Sequence, residues 1–99
     1  MKREIFNQYV DMVCEMFSIT REQFFTKSKS ISIVKARQMV YYLCDRRQIK
    51  PRLIEEWMCD NGYATGHSTI IYGIRTMKET IRGDNDYVKA IGDIERSVS

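Results

Sequence analysis

The sequence predicts an all-α protein, a compact bundle of about six helices folded as one domain. Three observations lead there. Apolar residues recur at three- and four-residue spacing along most of the chain, no stretch alternates as a strand would, and proline, glycine and short polar runs divide the pattern at a few points. With 99 residues, 43% of them hydrophobic and 29% charged with both signs interspersed, residues 1–99 suffice for one core and are too few for two.

From Lys2 to Phe17, Ile5, Tyr9, Met12 and Met16 form one apolar row and Phe6, Val13 and Phe17 another, which makes a broad helical face. Thr20 and Gln23 stand at capping-box spacing and start a short helix through Phe24 and Phe25. A polar loop, Thr26-Lys27-Ser28-Lys29-Ser30, follows. Ser30 or Ser32 can cap the next helix, whose core side carries Ala36, Met39, Val40 and Leu43. Lys35, Arg37, Gln38, Tyr41 and Tyr42 then lie off the centre of that face. Pro51 suits the first turn of a fourth helix with Leu53, Ile54, Trp57 and Met58 as its buried stripe, and Gly62 suits the left-handed position after it. A fifth helix is expected from Thr65 to Arg82, with Ile70, Ile74, Met77 and Ile81 inward and Gly83 as its stop. The last helix carries Tyr87, Ile91, Ile94 and Val98.

Composition excludes several classes. The formal charge of +3 is too mild to imply a partner by itself, so its distribution matters more. Lys27, Lys29, Lys35 and Arg37 form one basic stretch and Arg46, Arg47, Lys50 and Arg52 another, with Asp45 just ahead of the second. Cys14, Cys44 and Cys59 are odd in number and lack the spacing of a zinc site, so they read as reduced core thiols. The opening Met1-Lys2-Arg3-Glu4 runs into an amphipathic stretch and no apolar run approaches a membrane span, which makes the cytoplasm the expected compartment. His67 has no His, Cys or carboxylate at ligand or triad spacing. Neither an enzyme nor a cofactor or metal protein is expected.

With the apolar stripe of the fifth helix turned inward, Ser68, Tyr72, Arg75, Glu79 and Arg82 project from its other side, and its first turn is small and polar. Such a helix suits the major groove of double-stranded DNA, where N-terminal side chains read base edges and N-terminal amides favour phosphate. The Pro51 to Asn61 helix would cross the backbone, completing a helix-turn-helix. An ordinary helix start explains Gly66, His67, Ser68 and Thr69 as well, and spacing alone does not decide. The tyrosines favour packing over base stacking, Trp57 reads as core, and Arg46 with Arg47 reads equally as a dipole-compensating pair or a phosphate clamp.

The run Gly62-Tyr63-Ala64-Thr65-Gly66-His67-Ser68-Thr69-Ile70-Ile71-Tyr72-Gly73 resembles the signature of the DNA-binding C-terminal domain of the bacterial replication initiator DnaA, which typically reads Gly-Gly-Arg-Asp-His-Thr-Thr-Val-Ile-His-Ala. Upstream, Val13 to Met39 is similar to that family's first helices and basic loop, ending in Ala36-Arg37-Gln38-Met39. The resemblance implies that Arg37 and Gln38 face DNA, with Arg37 reading a base, that Lys50 and Pro51 lie near a turn contact, and that His67, Ser68 and Thr69 enter the major groove. Thr65, Gly66 and Tyr72 fall within the same contact run. Departures accompany it: Gly66 replaces an aspartate, Thr65 an arginine, and Ile31 the arginine sent into the minor groove, leaving Lys27 and Lys29 for that task. No Walker A pattern occurs, so the ATPase motor and its nucleotide are absent from these residues.

The expectation is therefore sequence-selective binding of double-stranded DNA, for replication initiation or its regulation or for transcription control. It would act in the nucleoid or in a phage-infected cell, alongside replication or transcription proteins, and a phage or mobile element could carry such a stand-alone module. Lys27, Lys29, Lys35, Lys50 and Arg75 would hold phosphates. A second reading is a protein-interaction adaptor that has lost DNA affinity at Gly66 and Ile31 and uses Tyr41, Tyr42 and Tyr72 as its surface.

Overall fold

Six α-helices follow one another in the computed structural model, which describes residues 1–98: α1 Lys2–Phe17, α2 Arg21–Phe24, α3 Ile31–Arg46, α4 Pro51–Asp60, α5 His67–Ile81 and α6 Asn85–Ser97. No strand occurs among the described residues. Helix α1 buries Phe6, Tyr9, Val10, Val13 and Cys14, a stripe repeating every three or four residues, whereas Met16 is left exposed, contrary to its place in the expected row. Ser18 closes α1 in the left-handed conformation (φ 56°), with its amide on the Glu15 carbonyl and that of Ile19 on Cys14. The capping box then starts α2: Thr20 Oγ1 accepts from the Gln23 amide at 3.0 Å, and Gln23 Oε1 accepts from the Thr20 amide at 2.9 Å.

Helix α3 is the axis of the molecule. It packs most extensively on α5 and next on α1, so two of its sides are internal. Periodicity places Arg37, Tyr41 and Tyr42 off the centre of one inward side; with two sides internal all three are buried, the tyrosines packed as expected. Close approach of α3 and α5 depends on Gly73. A Cβ there would stand 2.9 Å from Tyr41 Cδ2 and 3.3 Å from Gln38 Cγ.

Pro51 opens α4, and Ile54, Trp57 and Met58 are buried, with Trp57 against the Phe6 ring of α1 at 5.5 Å between centroids. Gly62 takes φ 88° just beyond α4. Helix α5 starts at His67, two residues later than expected, because Gly66 is extended (φ −109°, ψ 166°) and serves as N-cap, which leaves Thr65 in the preceding turn. Ile70, Ile74 and Met77 are buried and Ile81 partly so. Asp84 caps α6 by accepting from the Tyr87 amide, and Ile91, Ile94 and Val98 close the core. Of the cysteines, Cys14 and Cys44 are buried as expected, but Cys59 is exposed on the outer side of α4.

Candidate nucleic-acid interface

Phe24, buried at the end of α2, anchors the chain where the polar loop begins. Within the loop the Ser28 amide bonds the Thr26 carbonyl at 2.8 Å and the Ser30 amide bonds Ser28 Oγ at 3.1 Å. A backbone carbonyl and one hydroxyl thus take up amides that no helix satisfies. Lys27 and Lys29 are exposed and carry no ion pair among the described residues.

Arg37, expected as a base-reading arginine, is turned into the protein. The residue is only 5% exposed. Its Nε donates to the Phe24 carbonyl at 2.9 Å, Nη1 to Ser28 at 3.4 Å and Nη2 to Thr26, while its Cζ lies 4.3 Å from the centroid of the Tyr63 ring. Three of its five N–H donors are thus engaged by the protein's own carbonyls.

At the start of α5, His67, Ser68 and Thr69 are all exposed, and Gly66 offers no side chain to cap the helix. No acid occupies the first turn, so the amides ahead of Ile70, whose own amide bonds the Gly66 carbonyl, leave the positive end of the dipole uncompensated. Nothing lies within 4 Å of where a Cβ on Gly66 would stand, so space does not demand glycine at the position where the DnaA-type signature carries aspartate.

A groove of about 290 Å³ joins these parts. Ser28 and Lys29 of the loop, Val34, Arg37, Gln38 and Tyr41 of α3, Tyr63 of the turn and Thr69 and Tyr72 of α5 line it. Lys29, Gln38, Thr69 and Tyr72, separated by up to 43 positions in sequence, therefore share one concavity. Tyr72 is 63% exposed on its rim. Other expected residues stand apart. Lys35 is half-buried on α3 outside the groove, while exposed Lys50 and half-buried Pro51 begin α4. Thr65 is half-buried, its Oγ1 buried without a partner, and it lines a separate concavity with Arg52 and Cys59. Arg75 faces another, beside Ile71, Asp45 and Lys78, of which the last two approach to 3.8 Å.

Charge follows the same division. From residue 23 to 44 and from 61 to 78 the chain has no carboxylate, and these two segments supply every residue of the groove. They hold six of the 16 cations and none of the 13 acids, which leaves ten cations against 13 acids elsewhere. Local absence of acids is the sequence signal for the groove lining, whose cations are Lys29 and Arg37. The Arg46–Arg47 stretch lies outside it: Arg46 binds Glu95 of α6 at 2.7 Å, so its charge is spent inside the molecule. Ile31, 73% exposed at the first position of α3, and Tyr63, lid of Arg37, are further surface features of this side that periodicity does not single out. Of the three tyrosines expected to form an adaptor surface, Tyr41 and Tyr42 are buried and only Tyr72 is available.

Among the described residues no three His, Cys, Asp or Glu side chains cluster as metal ligands, and no helix is long and apolar enough to cross a membrane. The chain is similar to the chromosomal replication initiator protein DnaA of Jannaschia sp. (strain CCS1), with 27% identity over 84 residues. That match covers 85% of this chain and 17% of the DnaA protein, so the chain spans about a sixth of its relative's length. No family model matches the chain, and no solved structure matches it.

Proposed function

We propose that this chain is a non-enzymatic DnaA-like module that binds double-stranded DNA in a sequence-selective manner. The observation that carries the proposal is the convergence of the carboxylate-free loop, α3 and the uncapped start of α5 around one groove. Phosphates supply most of the affinity of such a surface and base edges its selectivity. In this reading α5 lies in the major groove, where His67, Ser68 and Thr69 meet base edges. Gln38 offers an amide that can pair with adenine or a phosphate. Lys27, Lys29, Lys35, Lys50 and Arg75 sit on phosphates. Similarity to a replication initiator favours origin marking or its regulation over transcription control, and a bacterial or phage-infected cytoplasm is where such a module would work. Burial of Tyr41 and Tyr42 disfavours the adaptor reading.

Selection from random duplex DNA near 0.1 M salt tests the proposal, followed by fluorescence anisotropy of the winning and scrambled duplexes with wild type and His67→Ala. Enrichment of one motif, lost in the variant, is expected. If all five cations engage phosphates, the slope of log affinity on log salt is about −4.5. Neither enrichment nor affinity above background would refute the reading, and the sequence of an enriched motif separates origin from promoter use.

A further inference from the structure

Three backbone carbonyls of the irregular segment after α2, those of Phe24, Thr26 and Ser28, converge on the guanidinium of Arg37. Lys27, between the last two of them, and Lys29, directly after the third, are exposed. Inward carbonyls at alternate positions thus fix a loop that has no helix or sheet ladder of its own. On its other side the same guanidinium lies under the ring of Tyr63, three residues ahead of the N-cap of α5. Tyr63 is itself tied to α4 through its amide on the Met58 carbonyl at 3.0 Å. Arg37 is buried without an ion pair among the described residues, so its positive charge is balanced by carbonyl dipoles and an aromatic face alone. A planar fork reaches separated carbonyls while its face stacks on a ring, whereas an ammonium is a compact point charge that cannot stack.

We infer that Arg37 is a positioning residue for DNA binding: it touches no nucleotide, but holds Lys27 and Lys29 in register with the start of α5 so that loop and helix engage one duplex together. This rests on the DNA-binding reading and deepens it. In place of a direct base contact, Arg37 supplies the spacing between two contacts.

The experiment measures affinity for a labelled mixed-sequence duplex across a salt series, because phosphate contacts do not need the specific site. Wild type, Arg37→Lys, Lys29→Ala and the double variant are compared, with thermal melts of each. Lys29→Ala should reduce the salt slope by about 0.9, and Arg37→Lys, although it keeps its charge, by about 1.8, as two phosphates are lost. In the Arg37→Lys background Lys29→Ala should have no further effect. A folded Arg37→Lys with the wild-type slope, or strict additivity of the two substitutions, would overturn the inference, since lowered stability alone moves neither quantity. If Arg37→Lys does not fold, nuclear magnetic resonance of the wild type decides. The Arg37 Nε–H signal should stay in place on addition of duplex while the His67 and Ser68 amides move, and migration of the Arg37 signal would overturn the inference. No duplex binding by wild type overturns the DNA reading itself, a result distinct from binding that Arg37→Lys leaves unchanged.

Discussion

Cys14 packs among apolar side chains, and burial pushes its thiol from an ordinary 9.0 up to about 11. Burial raises Cys44 as well, and likewise the phenols of Tyr9 and Tyr41 from their ordinary 10.0. All four groups hold their protons more tightly folded than unfolded. Below pH 9 both states are protonated and stability is complete. Above it the unfolded chain ionises first, so stability falls as pH rises, for Cys14 over the window from about 9 to 11. Urea midpoints followed by Trp57 fluorescence should therefore drop steadily through that window, and Cys14→Ala should make the drop shallower. A midpoint constant to pH 11 would contradict the burial of these groups. Arg37 illustrates the same scale from the opposite side: a residue type that commonly reads bases is here consumed by three carbonyls and a ring.

Between elements, the approach of α3 and α5 is the tightest constraint. Gly73 lies against the Tyr41 ring, which is buried. Alanine is the better helix former by about 1 kcal/mol, but forcing a methyl into a packed interface typically costs 1–3 kcal/mol. Gly73→Ala should accordingly lower stability by about 1 kcal/mol net, and Gly73→Val by more, as read from denaturant midpoints. Because Thr69 and Tyr72 of α5 share the groove with Lys29 and Gln38, and the new methyl would press on Gln38 Cγ as well as on Tyr41, Gly73→Ala should also weaken duplex binding. An unaltered or raised midpoint would show that the interface yields.

Across the whole molecule, charge is segregated rather than abundant. The carboxylate-free segments supply the whole groove lining while acids outnumber cations in the remainder, where Arg3–Asp60, Arg21–Asp11 and Arg46–Glu95 pair off. Exposed pairs of this kind contribute little stability, but they neutralise the cations they hold. Two variants of identical net charge test the consequence. Lys29→Glu should flatten the salt dependence of duplex binding and weaken it, whereas Lys89→Glu, exposed on α6, should leave the slope as in wild type. Equal effects of both would mean that net charge, not the groove face, governs association.

Helix number and type, the capping box at Thr20, the prolyl start at Pro51 and the left-handed turn at Gly62 were all legible in the sequence, because each depends on residues within one helical turn of one another. So was the polar, exposed start of α5, to within two residues. Tertiary structure alone decided that α3 is buried on two sides, since a helical period records one inward face and cannot tell how many neighbours surround it. Burial of Tyr41 and Tyr42 follows from that placement, and so does the enclosure of the Arg37 guanidinium by the loop carbonyls. Assembly of Lys29, Gln38, Thr69 and Tyr72 into one groove belongs to the same class, because it requires loop, α3 and α5 to meet in space, and local spacing carries no information about which distant segments will pack together.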